Sequence, residues 1–271
     1  MNENYHDMDI EDYHLDEAIS ATNMKDIEIS CELALHNKKH GSKETTARFE
    51  GSLVHHAIEF KETGSKYALA PECDRRTTAG KAIYAEFQER LSEGVSPISK
   101  QQYEMAHNCM DAAWSHPESK LFLKEAKFER SGFCELMGVE VKARPDLDCT
   151  HIKGLPLVDI KTRQLGRASQ EAWQHDFWSS HTYLQAGLQI LVWRKLGIEV
   201  NDYFYILVER EPPYQVNVVG LDPESITYGI LGVHNILEKW KSYLASGLPK
   251  SYGLEQKLIE TPEWIQRKFN T

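Results

Sequence analysis

Three side chains in the stretch Arg144–Thr162, reading RPDLDCTHIKGLPLVDIKT, have the types and spacing for phosphodiester chemistry: Asp146, Asp159 and Lys161. Asp146 follows an alternating run in which Val139, Val141 and Ala143 interleave with Glu140, Lys142 and Arg144. That is the period of a half-buried strand, so the Asp146 carboxylate sits where the strand leaves its sheet. After a turn marked by Lys153-Gly154 and Pro156, the run Leu155, Leu157, Val158 and Ile160 is too short for a helix and long enough for a buried strand. Asp159 and Lys161 interrupt it on one face. An unpaired carboxylate or ammonium in an apolar strand costs several kcal/mol, so both need partners. A divalent cation is the simplest one. Two carboxylates form the hard oxygen site that magnesium or manganese prefers, with the Ile160 carbonyl turned to the same edge as a further ligand and the lysine facing the attacking water. Such an ion lowers the pKa of that water and offsets charge on the phosphate. The competing reading of the same residues is a solvent-facing ion pair on an ordinary strand.

Other residues fall into the same pattern. Gly51-Ser52-Leu53-Val54-His55, Ala70-Pro71-Glu72-Cys73-Asp74-Arg75-Arg76, Arg144-Pro145-Asp146, Asp159-Ile160-Lys161-Thr162 and Gln185 occur in that order. On these elements the chain resembles the RecE-type (exonuclease VIII-like) phage recombination exonucleases, within the PD-(D/E)XK nucleases, from about Tyr13 to Trp264. The resemblance implies an α/β fold with a restriction-endonuclease-like core, a mixed central sheet flanked by helices. It selects His55 over the adjacent His56 as a metal ligand or phosphate orienter, and it places Gln185 beside the metal. The step Glu129-Arg130-Ser131 also resembles the family and makes Glu129 a candidate additional acid, with Glu135 and Glu140 competing on the sequence alone. The implied activity is Mg2+-dependent digestion of linear duplex DNA, with Mn2+ substituting, from 5′ ends to leave 3′ single-stranded tails. Implied partners are duplex ends, a single-strand annealing protein and further copies of the chain in a ring-forming homo-oligomer. The implied setting is the cytoplasm of a bacterial host, with a phage or prophage origin. An endonuclease of restriction or repair type on the same core, or a catalytically silent DNA-end-binding protein, are the alternatives.

Several elements must position these groups. Ser20 or Thr22 can cap a helix from about Asn23 to His36, and Thr46 to Phe60 reads as a second helix carrying His55. Arg75, Arg76 and Lys81 form a basic cluster in a polar stretch, either a solvated loop or a phosphate contact. Helices are expected over 79–93 and 97–115, the second stopped by Pro117. Lys127 to Ser131, Cys134 to Ala143 and Leu155 to Lys161 read as consecutive strands, the first pair joined through Gly132. A long aromatic helix from Ser169 to Leu196 follows, in which His181, Gln185 and Gln189 form a polar stripe. Tyr203 to Val208 and Gln215 to Val219 make a hairpin around Pro212-Pro213, and a last helix runs from about Asp222 to Ala245.

Composition narrows the class. No linker or repeat divides the 271 residues, so one exonuclease domain is expected over 19–271. Residues 1 to 17 hold seven acidic side chains and no Lys or Arg, and 1–18 reads as an acidic, disordered tail. Net charge is −10, the wrong sign for a protein that coats DNA, so any basic track must be local. The five cysteines are 15 to 42 residues apart, which excludes an iron–sulfur cluster with grouped ligands and points to reduced thiols. Neither a signal peptide nor a membrane-length apolar run is present.

Overall fold

The computed structural model describes residues 5–64, 66–246, 260, 261, 263 and 267. Strand β1 (Tyr5–Asp7) leads into a short helix α1 (Ile10–Leu15), capped by Asp9. Helices α2 (Ala21–Ile29) and α3 (Cys31–His40) each open on a serine: Ser20 forms a capping box with Asn23, and Ser30 accepts from the Leu33 N–H. Next come α4 (Thr46–Phe60), β2 (Tyr67–Leu69), α5 (Thr78–Arg90), β3 (Ser96–Ile98), α6 (Lys100–Ser115) and α7 (Pro117–Glu125). The strands β4 (Lys127–Phe128), β5 (Arg130–Leu136), β6 (Val139–Ala143), β7 (Leu147–Asp148) and β8 (Leu157–Arg163) follow. Helices α8 (Gln170–Ser179) and α9 (Tyr183–Lys195), strands β9 (Tyr203–Glu209) and β10 (Val216–Gly220), and helix α10 (Pro223–Ser246) complete the order.

The central sheet has the order β10-β9-β8-β7-β4. It is mixed, because β8 and β9 run parallel while the other neighbours are antiparallel. Its two faces bury separate apolar clusters. Leu157, Tyr203, Tyr205 and Leu207 join α2, α9 and α10 on one face, whereas Val158, Ile160, Ile206 and Val208 join α4 and α6 on the other. Alternation along β8 therefore sends Asp159 and Lys161 to the first face. A second sheet, β1-β5-β6, abuts this core, and helix α9 packs against β5 and β6. The α/β class and helix-flanked mixed sheet expected from the sequence are found.

Differences from the sequence reading have local causes. The helix expected over Asn23–His36 is two, because the Ser30 side chain caps the second and its own N–H ends the first on the Asp26 carbonyl. The helix expected over 169–196 is likewise two, with His181 between them at φ 54. His181 thus leaves the predicted polar stripe. The turn placed at Gly132 lies instead at Met137-Gly138, whose φ values of 56 and 79 suit a two-residue hairpin turn that keeps strand twist. Gly132 is inside β5, where a Cβ would meet the Trp193 ring at 2.9 Å. Pro117 does end α6, but it also starts α7, which the sequence reading lacked.

The segment expected to be an acidic, disordered tail carries β1 and α1 from residue 5. β1 pairs with β5, Tyr13 is buried, and basic side chains of the sheet hold the segment. Arg144 donates to the Met8 carbonyl at 2.8 Å, Lys142 donates to the carbonyls of Tyr13 and Asp16, and Arg130 pairs with Asp7 at 3.2 Å. The carbonyls of this segment make the burial of Lys142 and Arg144 tolerable, and its Asp7 carboxylate does the same for Arg130. The part of the expected 19–271 domain beyond residue 246 falls almost entirely outside the described residues. No helix among those residues is long and apolar enough to cross a membrane.

Candidate active site

Asp146 stands in the short link between β6 and β7, at the edge of β8. Its Oδ2 accepts the Ile160 N–H at 2.6 Å, so the carboxylate replaces a ladder partner just beyond the end of β7. Helix α4 brings His55 from the neighbouring layer, with Nδ1 3.6 Å from Asp146 Oδ1. That helix forms where Thr45 caps its first turn, and it buries Leu53, Val54, Ala57 and Ile58 against the sheet. His56, about 100° further round the helix, turns away and packs tilted against Phe60 and edge-on against Tyr67 at centroid distances of 4.6 and 5.4 Å.

Glu129 completes the group. It lies between β4 and β5 at φ 55, a region that residues with a Cβ seldom occupy, and its N–H donates to the Asp146 carbonyl at 3.1 Å. The kink aims its carboxylate at the site, where Arg144 Nε donates to it at 2.6 Å. Arg144 is fixed in turn by Ser131 Oγ at 2.9 Å and the Met8 carbonyl. One ligand atom each from His55, Glu129 and Asp146 lies within 4.8 Å of the others.

Asp159 and Lys161 sit beside this group and pair with each other. Asp159 is fully buried: Gln185 Nε2 donates to its Oδ1 at 2.6 Å, and the Lys161 ammonium lies against its Oδ2. Gln185 and Gln189 are therefore the polar part of α9 that faces the site. Gln189 donates to the Arg144 carbonyl at 3.2 Å and accepts from the Tyr203 hydroxyl at 2.5 Å. Arg144, Gln189 and Tyr203 were not singled out for function by the sequence reading. Arg144 had a signal, its place in Arg-Pro-Asp; a buried tyrosine in an apolar strand had none.

The electrostatics follow from this packing. Burial pushes the Asp146 carboxyl up, but His55, Lys161 and the Ile160 N–H outweigh it and leave the pKa below its usual value. Burial and the Asp146 charge raise the Asp159 carboxyl despite Lys161, and raise Glu129 to about 7 despite Arg144. Burial opposes a charged His55, yet the Asp146 carboxylate wins and raises that imidazole to about 9. Lys161 is also raised, since Asp159 and Asp146 outweigh the desolvation that opposes its charge. The cluster is thus a set of close carboxylates stabilised by cations. A divalent ion can replace the His55 proton in that role, and an imidazole with carboxylate oxygens is a donor set suited to Mn2+ or Mg2+. Asp159, expected to share one ion with Asp146, lies outside the His55–Glu129–Asp146 grouping, because Gln185 and Lys161 hold its oxygens.

The basic cluster is apart from these contacts. Arg76 is exposed and forms a two-point pair with Asp74 at 3.0 and 3.2 Å, Arg75 lies 4.5 Å over the Tyr84 ring, and Lys81 is an exposed residue of α5. Among the described residues nothing connects the three to the acidic group.

A mixed sheet that presents Asp146 at a strand edge and Asp159-x-Lys161 on the next strand is the framework of a PD-(D/E)XK nuclease. The chain belongs to the family of the PDDEXK-like domain of unknown function (DUF3799), whose model matches residues 20–251. It is also similar to the crystal structure of a "Putative exonuclease" from Eubacterium rectale, with a TM-score of 0.62 and 12% identity over 97% of this chain and 98% of that one. At that identity the likeness is one of fold. No curated protein matches the chain.

Proposed function

We propose that the protein is a divalent-metal-dependent deoxyribonuclease that digests linear duplex DNA as an exonuclease, with Mg2+ as its ion and Mn2+ able to substitute. The observation that carries this reading is the convergence of His55, Glu129 and Asp146 beside the Asp159–Lys161 pair. His55, Glu129 and Asp146 would hold the ion. The Ile160 carbonyl joins them, since the N–H and C=O of an extended residue share one strand edge and the Ile160 N–H already meets Asp146. Asp159 would be a further ligand if Gln185 or Lys161 gave up one of its oxygens. When bound, the ion supplies Lewis-acid stabilisation of phosphate charge and lowers the pKa of the nucleophilic water.

The chain's own residues do the positioning. Lys161, with its pKa raised, keeps its proton at neutral pH and so serves as a donor, orienting the attacking water or neutralising phosphate charge rather than accepting a proton. Gln185 fixes Asp159 and offers its amide to a water or phosphate oxygen. Arg144 keeps the Glu129 carboxylate aimed inward. Polarity from the 5′ end, 3′ single-stranded products, a single-strand annealing protein as partner, a ring-forming homo-oligomer and a phage setting are supported by the resemblance to RecE-type exonucleases. The test is magnesium-dependent hydrolysis of linear against covalently closed duplex. An exonuclease degrades only the former; cutting of closed circles would favour the endonuclease reading, and binding without hydrolysis the silent one.

A further inference from the structure

Among the described residues two inward lysines have strong oxygen partners: buried Lys142 donates to the carbonyls of Tyr13 and Asp16, and partly buried Lys161 lies against Asp159. Lys25, also partly buried, has a weaker one. It projects from α2 into the layer shared with α9, where its hydrogen-bond partner is the Thr182 hydroxyl at 3.4 Å, a distance at which little stabilisation remains. Among the described residues no carboxylate oxygen comes within 4.0 Å of its ammonium. Burial and the nearby charge of Lys161 lower its pKa to about 8, with Asp159 opposing. An ammonium in such a position costs stability unless an anion arrives.

The surroundings specify the anion. Thr182 is 4% exposed and makes no capping hydrogen bond to α9; its hydroxyl instead links to Ser180 Oγ at 2.8 Å and accepts from the lysine. Three residues further along α9, Gln185 donates to Asp159. Lys25 and Thr182 therefore approach the Asp159–Lys161 pair from the α2/α9 face of the sheet, while His55 approaches from the layer of α4 on the other. We propose that Lys25 and Thr182 form a seat for a second phosphate of the DNA strand, the one adjacent to the scissile phosphate. The assignment rests on the nuclease reading above. One ammonium with two hydroxyls suits a singly or doubly charged phosphate oxygen set, and a lysine makes such contacts as a point charge.

The test pairs a change in the protein with the matching change in the DNA. Lys25→Met keeps the apolar stem and its packing, and Lys25→Arg restores the charge. With wild-type protein and Mg2+, a neutral methylphosphonate at the linkage next to the cut should raise KM by about tenfold, the loss of one charged hydrogen bond. Lys25→Met should raise KM by a similar factor on native DNA with kcat within about twofold, and should show no further loss on the methylphosphonate substrate. Lys25→Arg should recover most of the affinity. Substrates ending in 5′-phosphate or 5′-hydroxyl distinguish the source: loss with the hydroxyl end places the seat at a terminal phosphate, and loss only with the methylphosphonate places it at an internal one. An unchanged KM in Lys25→Met, or an equal methylphosphonate loss in both proteins, overturns the seat while leaving the nuclease reading intact. If the wild type hydrolyses nothing, that reading fails on its own, and metal-free binding still decides the seat. Lys25→Met should then reduce the slope of log K against log salt by about one, and identical slopes would overturn it.

Discussion

Asp159 holds Gln185 with one oxygen and Lys161 with the other, so removing it frees a buried ammonium and a cation ligand together. Asp159→Ala is expected to lower cleavage by about a thousandfold or more, with the circular dichroism of the native fold retained; near-normal Mg2+-dependent cleavage would contradict its assignment. Lys161→Ala should lower kcat far more than it weakens the metal, measured by titrating Mn2+ against a binding signal, because an ammonium paired with Asp159 is no metal ligand and is assigned to the water or the phosphate. The two neighbouring histidines give a sharper contrast. His55→Ala should cost metal affinity, whereas His56 packs its ring against Phe60 and Tyr67, away from the His55–Glu129–Asp146 group, and His56→Ala should leave metal affinity unchanged. Reversal of that order would show that the site is built from the other face of α4. At this scale Asp146, Asp159 and Lys161 were legible, since charges that interrupt an apolar strand demand a reason. Lys25 was not, because a lysine on an amphipathic helix looks solvated until the packing of α2 against α9 is known.

The elements holding these residues depend on two close approaches. Helices α9 and α10 cross where Gly187 meets Gly229, and a Cβ on Gly187 would fall 2.3 Å from the Gly229 carbonyl. Because backbone rather than a flexible side chain lies in the way, Gly187→Ala must separate the helices, costing about 3 kcal/mol or more and lowering Tm by about 10 °C. Thermal unfolding checks this; an unchanged Tm would mean that the crossing is looser than described. The second device is the kink at Glu129. Glu129→Gly keeps the backbone accessible at φ 55 and removes the carboxylate, so it should lose metal affinity without losing stability. Helix α4 was readable to its ends because a threonine cap and one apolar face agree. The breaks at Ser30 and at Ser180–Thr182 were not, since serine and threonine occur both inside helices and at their caps, and here Ser30 caps a helix while Thr182 does not.

For the whole molecule, net charge and sheet architecture pull in different directions. A chain of charge −10 repels DNA at long range, so binding must rest on few phosphate contacts and should weaken less steeply with salt than for a basic-surfaced DNA binder. The local cations near the site, Lys161 and Lys25, are too few for strong monomeric binding, which is the physical argument for enclosure by several copies. Light scattering, together with processivity after a heparin trap, tests it, and a processive monomer would remove the argument. The fold class was legible because the alternation before Asp146 and the short apolar run around Asp159 already described two strands; that these are β6 and β8 of different sheets, with β7 beside β8, was not. The order of the terminus was not, because its acidic residues suggest a solvated tail while Tyr13 and the carbonyls that hold Lys142 and Arg144 are what dock it.

On the proposed reading, the His55–Glu129–Asp146 group and the Asp159–Lys161 pair form a metal-dependent DNA hydrolase site acting from duplex ends. A linear duplex labelled at its 5′ end on one sample and at its 3′ end on another, incubated with the wild type and Asp146→Ala in Mg2+ or chelator, tests it most directly. Early loss of the 5′ label by wild type in Mg2+ alone, and no loss with Asp146→Ala, is the predicted result; hydrolysis by Asp146→Ala at the wild-type rate, or none by folded wild type with either Mg2+ or Mn2+, would contradict it.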